Sequence, residues 1–269
     1  MQISVRSFAA SLGAFVLLAM PVAAQDAQEL AKELANPIAD LISLPFQFNY
    51  NTGFGPDGDG NRLATNIQPV VPIHLNANWN VILRTIVPVV AEKDVIPGSG
   101  SEFGLGNTVQ SLFFSPKEPT GNGWILGAGP VFLWPTATVD SIVDNKWGAG
   151  PTGIALKQTG PWTYGGLANH IWSYAGDEDT EDVSSTFLQP FLNYTTPTAT
   201  SYYLNTESTY NWKTSDWAVP INAGVNQMIN LGGQPAQIGL GGRYWATSPD
   251  NGPEGWGLRV NFVLLFPKG

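Results

Sequence analysis

From Trp256 to Phe266 every second residue is large and apolar: Trp256, Leu258, Val260, Phe262, Leu264 and Phe266. Most residues between them, such as Gly257, Arg259 and Asn261, are small or polar. Side chains alternate faces along a strand with period two, so the segment is predicted to be a strand with one apolar and one polar face. Its length matches the roughly 9–11 residues a tilted strand needs to cross a bilayer. The same alternation sets Leu44, Phe46, Phe48 and Tyr50 against Pro45, Gln47, Asn49 and Asn51. Further strands are predicted near 63–75, 79–91, 104–114, 124–136, 148–158, 162–175, 185–195, 200–212, 217–229 and 236–247. The connections alternate long with short, except at Lys213 to Asp216, which is short where a long loop is expected. Together these features predict an all-β fold, an up-and-down antiparallel transmembrane β-barrel of about 12 strands.

One stretch has a different period. Between Gln25 and Leu41, the residues Leu30, Leu34, Ile38 and Leu41 recur at helical spacing, and Asn36-Pro37 would break or kink the helix. Ahead of it, Arg6, the apolar run Phe8 to Met20 and the small residues Val22-Ala23-Ala24 read as a secretory signal peptide, cleaved after Ala24. The expected organisation is a signal peptide over 1–24, a periplasmic helical segment over 25–42 acting as plug or tether, and a barrel over 43–266. The expected location is the outer membrane of a Gram-negative bacterium, with outer-membrane lipid and the barrel assembly machinery as partners.

Composition narrows the class. Aromatic residues make up 12% of the chain and charged residues 12%, with 30 glycines and 21 prolines, which suits strands and turns facing lipid. There is no cysteine, so no disulfide framework and no Cys-bound metal forms; separately, no cofactor is expected. A net charge of −9 argues against a nucleic-acid partner. The polar rows hold Asn, Gln and Arg rather than the Lys and Glu of a soluble surface. That assigns Asn66, Gln68, Arg84, Gln189, Asn193, Asn205, Glu207, Asn222, Asn226, Arg243, Arg259 and Asn261 to the lumen. The tryptophans Trp79, Trp124, Trp162, Trp217 and Trp256 fall near strand ends, where aromatic girdles form. Against this picture stand Pro69, Pro72, Pro88, Pro130, Pro190 and Pro220 inside predicted strands, because proline removes a ladder donor.

The candidate pore-lining residues are Arg84, Gln189, Asn193, Glu207, Arg243, Arg259, Asn261 and His170. The arginines and Glu207 could form either a charge-selecting constriction or a salt-bridge network that holds the barrel shut. Val263 and Leu265 are apolar on the inward row and form a predicted dock for Leu30 and Leu34 of the helix. Asn169-His170-Ile171-Trp172-Ser173 holds the residue types of a catalytic nucleophile and its base. His170 and Ser173 are three apart on a strand and so point to opposite faces, which disfavours a catalytic pair. No catalytic residue is expected. Two GxGxxG matches, at 53–58 and 148–153, open no helix and are not dinucleotide sites. Asp57, Asp59 and Asn61 resemble half of a calcium loop, but Arg62 stands where glycine is needed, so a mobile surface loop is the default.

The signal peptide, the helix ending Asn36-Pro37, Pro45-Phe46-Gln47-Phe48-Asn49-Tyr50, the 169–173 segment, Gln189-Pro190-Phe191-Leu192-Asn193-Tyr194 and Gly241-Gly242-Arg243-Tyr244 together resemble the bacterial outer-membrane proteins termed neuromedin U-like. These are similar to the barrels of the MetA pathway of phenol degradation. The resemblance implies a Gram-negative outer-membrane barrel with a transport role and carries no catalytic residues. One departure is that Phe266 is followed by Pro267-Lys268-Gly269. The functional expectation is a porin-like channel for passive uptake of small hydrophobic or aromatic solutes. The alternatives are a closed structural or adhesive barrel with ion-binding acidic loops and, third, a lipid-modifying enzyme.

Overall fold

The computed structural model describes residues 24–139, 141–142 and 145–267. The predicted signal peptide lies outside the described residues up to position 23. A helix, α1 (Ala24–Leu34), precedes β1 (Ile42–Phe54), β2 (Gly60–Ile67), β3 (Val70–His74), β4 (Trp79–Lys93), β5 (Ser101–Leu105), β6 (Thr108–Pro116), β7 (Trp124–Trp134) and β8 (Lys146–Thr159). There follow β9 (Trp162–Gly176), β10 (Ser184–Thr195), β11 (Thr200–Thr206), β12 (Ser208–Asn211), β13 (Asp216–Leu231), β14 (Gln234–Thr247) and β15 (Gly255–Phe266). β2 with β3, β5 with β6, and β11 with β12 are single staves with a short break, so the wall is a closed twelve-stranded antiparallel barrel. It closes where β15 pairs with β1, from Ile42↔Phe266 to Tyr50↔Leu258. Short connections (75–78, 117–123, 160–161, 196–199, 232–233) gather at the end that carries α1. The opposite end carries 55–59, 94–100, 135–139, 177–183, 212–215 and 248–254.

The registers fix which face each residue takes. Asn49 pairs with Arg259 and Gln47 with Asn261, while Phe46 pairs with Phe262 and Phe48 with Val260, so polar partners share one face and apolar partners the other. On the outer face Ile238, Leu240, Leu258, Leu204 and Ile221 are between 43% and 56% exposed in mid-stave. Such a band is stable only where hydrocarbon is the solvent. Aromatic residues rim it at both ends. At the helix end Trp162 meets Tyr194 with ring centroids 4.8 Å apart, and Trp124 meets Tyr164 at 6.3 Å. At the loop end Tyr244 meets Trp256 at 5.1 Å and Tyr210 meets Trp217 at 4.9 Å. From Trp256 to Phe266, ~3.4 Å per residue at ~40° tilt gives roughly 25 Å, the height of an outer-membrane apolar band.

The prolines fit because most of them sit where a stave is already interrupted. Pro69 follows the β2–β3 break, and its carbonyl still accepts from Thr85 N at 3.1 Å, as that of Pro45 does from Gln68 N at 2.8 Å. Pro88 faces the β5–β6 break and accepts from Gly106 N at 2.9 Å. Pro130 pairs with Pro151, so two missing donors coincide. Phe191↔Asn205 and Thr206↔Ile221 place Pro190 beside Thr206 and Pro220 beside Glu207, on either side of the β11–β12 break. Pro72, paired with Ile82, and Pro130 lie within continuous strands. The expected conflict with a closed barrel is thus confined to a few lost ladder bonds.

The helix is shorter than the sequence pattern suggests. It stops at Leu34, and Asn36 N bonds Glu33 O at 2.9 Å while Asn36 Oδ1 accepts from Ile38 N at 3.0 Å. Pro37 disfavours helix at the residue before it, so Ile38 and Leu41 leave the face of Leu30 and Leu34. Ile38 instead inserts among Ile82, Phe113, Ile154, Leu156 and Leu167 inside the barrel.

An arginine at Leu240, in mid-stave on the outer face, is expected to cost about 2–4 kcal/mol, against about 0–1 kcal/mol at Thr52 near the rim. Equilibrium unfolding in liposomes, followed by tryptophan fluorescence, checks this depth dependence.

Candidate functional site in the barrel lumen

The lumen has two unlike walls. One arc, from β11 through β15 to β1 and β2, presents Asn205, Asn222, Asn226, Arg243, Arg259, Asn261, Gln47, Asn49, Asn66 and Gln68 inward. The other, from β4 to β10, presents Ile82, Phe113, Ile154, Leu156 and Leu167 with Phe187 and Phe191. Nearer the loop end the same arc holds Val131, Leu133 and Ile171. The expected polar lumen is therefore corrected over this arc, where the inner wall is apolar. In sequence the two faces are hard to separate there, because large apolar residues face inward and many of the outward ones are small. Ala128, Gly153, Ala155, Gly166 and Ala168 line a 1220 Å³ groove on the outside of that wall.

The polar arc converges on one carboxylate. Glu207 stands at the β11–β12 break. Arg259 Nη1 and Nη2 donate to its two oxygens at 3.0 and 2.6 Å, and Arg259 Nε donates to Asn49 Oδ1 at 2.7 Å. Arg243 Nη1 lies 3.6 Å from the same carboxylate, with its guanidinium 4.7 Å above the Trp245 ring. Trp245 Nε1 in turn donates to Asn51 Oδ1 at 3.0 Å. Asn222 Nδ2 donates to Asn205 Oδ1 at 2.9 Å, and Asn261 Nδ2 to Asn226 Oδ1 at 3.1 Å. Glycine makes room for this layer: a Cβ at Gly241 would overlap the Tyr203 hydroxyl, and one at Gly239 the Asn226 amide. Arg84 stands at the seam of the two walls, its Nη2 donating to Gln68 Oε1 at 3.2 Å.

Below this layer α1 covers the short-turn end. Leu30 and Leu34 pack with Val263 and Leu265, alongside Ala31, Leu41, Ala199 and Met228. Gln158 Nε2 also donates to Lys32 O at 2.7 Å. A 190 Å³ chamber lies between Leu34 and Arg259, lined also by Asn193, Tyr203 and Asn261. A second, of 150 Å³, lies between the linker and Arg84. At the loop end a 360 Å³ vestibule is bordered by Asp182, Asn211 and Asp216.

The sequence-predicted residues divide as follows. Arg84, Gln189, Asn193, Glu207, Arg243, Arg259 and Asn261 all face the lumen. His170 does not. Thr152↔Asn169 turns Asn169 inward, so His170 faces outward, its ring 4.0 Å from that of Trp172 and its Nδ1 2.7 Å from Thr186 Oγ1. Period two alone could not tell which of the two residues faces lipid, because both are polar. Ser173 lies on the opposite face and donates to Asp182 Oδ1 at 3.1 Å. Asp57 and Asp59 sit exposed in a short turn, while Asn61 is already in β2, paired with Thr52. Among the described residues no group of three His, Cys, Asp or Glu side chains could hold a metal ion. Sequence reading placed Ile38 on the helix face and missed Tyr203 and the apolar inner wall. The runs of Gly and Ala on the opposite face of β8 and β9 were the available signal for that wall.

No protein-family model and no curated protein matches the chain. Among solved structures it is similar to an outer membrane channel from Pseudomonas putida F1, with a TM-score of 0.65 and 16% identity, covering 84% of this chain and 96% of that one. It is also similar to the NanC porin, with a TM-score of 0.52 and 8% identity, covering 84% and 100%. The outer membrane phospholipase A of Escherichia coli aligns more loosely, with a TM-score of 0.47 and 11% identity over 88% and 98%. The fold is that of outer-membrane β-barrels; identities this low establish the shared fold and nothing of cargo.

Glu207→Gln leaves two arginines against a neutral amide, and breaking a buried pair in this way is expected to cost about 3–5 kcal/mol, read as a lower denaturation midpoint in liposomes. At the rim, Asp182 accepts from Lys146 Nζ and Ser173 Oγ, both at 3.1 Å, and these bonds hold its carboxyl below its ordinary value. A depressed carboxyl adds stability above the unfolded-state pKa and loses it as pH falls through the folded one. The 177–183 loop is therefore expected to resist proteolysis from neutral pH down to the ordinary Asp range, about 3.9, and to loosen only below it. Limited digestion with an acid-active protease across that range checks this.

Proposed function

We propose that this chain is an outer-membrane channel for passive passage of small solutes with an apolar, often aromatic, body, regulated by α1 as a removable plug. The observation that carries this reading is the pairing of an apolar inner wall with a polar, charged one above a docked helix. A structural barrel gains nothing from polar side chains held open to chambers on both sides of a charged layer, whereas a small amphipathic solute can exchange contacts with both walls. In this reading residues 1–24 are the export signal, the helix end is periplasmic, the acidic loops face outward, and assembly uses the barrel machinery. The kinship with the neuromedin U-like and phenol-degradation barrels belongs to the same proposal.

One observation favours a closed barrel instead: Arg259 is only 1% exposed at the centre of the lumen. A lipid-modifying activity gains no support, because His170 and Ser173 lie on opposite faces of β9. Purified protein in planar bilayers and in solute-loaded liposomes separates the readings. Removal of residues 26–36 is expected to raise conductance and aromatic-solute flux several-fold, and a disulfide between Leu30→Cys and Val263→Cys to hold both low. Absence of conductance and flux in every variant would establish the closed barrel.

A further inference from the structure

The 190 Å³ chamber between α1 and the charged layer is walled mostly by side-chain amides. Arg259 is the charged residue that lines it, and every nitrogen of its guanidinium already donates, to Asn49 Oδ1 and to both oxygens of Glu207. The neighbouring 150 Å³ chamber carries both signs, Arg84 and Glu33. Some of the amides serve the wall itself. Asn261 Nδ2 donates to Asn226 Oδ1 at 3.1 Å, and Asn205 Oδ1 accepts from Asn222 Nδ2 at 2.9 Å. Others have hydrogen-bonding capacity left over. Among the described residues the Asn193 side chain has no hydrogen-bond partner. Gln237 is only 5% exposed, its Nε2 has nothing but the Met228 sulfur at 3.8 Å, and its Oε1 accepts no bond from a described residue. Gln47 and Gln68 accept through Oε1, from Asn49 Nδ2 and Arg84 Nη2 at 3.2 Å each, which leaves their Nε2 groups to donate.

A buried polar group without a partner costs about 1–3 kcal/mol, so this surplus favours an occupant that answers it. The surplus contains acceptors and donors together. A carboxylate only accepts and an ammonium only donates, so either would leave half of it unmet, whereas a primary amide both donates and accepts. The chamber is apolar toward its floor, where Leu34 of α1, Pro45 and Val263 line it. On the inward row of β10, Asn193 stands two residues from Phe191 of the apolar wall. A cavity of about 150 Å³ admits a benzene ring, so 190 Å³ accommodates one ring with a small polar head.

We infer that this chamber binds small uncharged solutes whose polar end both donates and accepts hydrogen bonds, of the class of a one-ring primary amide, with Asn193 and Gln237 as the specificity-determining residues. The solute N–H groups donate to the side-chain oxygens of Asn193 and Gln237, and Gln47 and Gln68 donate to the solute carbonyl. The ring lies against Leu34 and Val263. This rests on the channel reading and names the polar end of its solute, but binding is measurable without transport.

The test is calorimetric titration of the full chain, purified in detergent and read against a detergent blank, with benzamide, acetophenone, benzoate and benzylamine. These share the ring and differ in the head, which in turn donates and accepts, only accepts, is anionic and is cationic. Benzamide is expected to bind at least about tenfold more tightly than each of the others, the increment of one or two net hydrogen bonds. Asn193→Leu and Gln237→Met keep the size of the side chain and remove its polar atoms. Each is expected to weaken benzamide binding about five- to tenfold and to leave acetophenone within about twofold. Heat-modifiable gel migration shows that each variant is folded, and where one fails to fold the other decides. No binding of benzamide, another of the four bound as tightly, or a preference unchanged by either substitution in a folded barrel would each overturn the site. Solute flux in liposomes from a protein without the preference would remove the site and leave the channel. The preference in a protein that passes no solute would uphold the site and remove the channel instead.

Discussion

In hydrocarbon no water is at hand to satisfy a stray backbone amide, so a membrane wall built from strands must close on itself. Here closure is the pairing of β1 with β15, nine residue pairs from Ile42↔Phe266 to Tyr50↔Leu258. The remaining structure depends on it. It fixes the register of the Asn49–Arg259 pair, turns Phe46, Phe48, Val260 and Phe262 to lipid, and brings the linker after α1 back over the short-turn end. The prolines show how tightly the rule binds. They are concentrated where neighbouring staves break, so a missing donor on one strand coincides with a missing partner on the next.

The same constraint produces the charged layer. The β11–β12 break falls at Glu207, between Pro190 and Pro220, and the lumen is the only polar space a carboxylate can reach at that depth. Once there it must be paired, because a lone buried charge would cost more than the barrel can supply. Arg259 and Arg243 come from adjacent staves at matching height, with Gly241 and Gly257 opposite them in the ladder. Space for two guanidinium groups and Tyr203 therefore comes from backbone positions that carry no side chain.

The apolar inner wall follows from another balance. Where β7 to β9 carry glycine and alanine outward, the bulky residues of those strands lie inside, and they can stay dry only if something covers them. Ile38 does so in part, which couples the linker after α1 to the far side of the barrel. The helix face of Leu30 and Leu34 meets Val263 and Leu265. The N-terminal segment is thus held by both walls, and its removal would expose both.

Much of this was legible in the chain. Period-two alternation, length and turn spacing are local properties, and they gave the barrel, its strand number, the outward row of Phe46, Phe48 and Leu258, and the inward row from Gln68 to Asn261. Amphipathic spacing likewise marked Leu30 and Leu34. What remained open depended on which strand lies beside which and at what register. Asn169 and His170 are both polar, and only the pairing of Thr152 with Asn169 turns the histidine toward lipid. The helix ends early because Pro37 and the Asn36 cap redirect the chain, and Ile38 finds its partners more than forty residues away. The meeting of Glu207 with two arginines joins residues from staves distant in sequence. The sequence by itself determined the faces of the strands; only the closed wall decided which polar residues stand together in the lumen, because charge pairing acts through space and alternation acts along the chain.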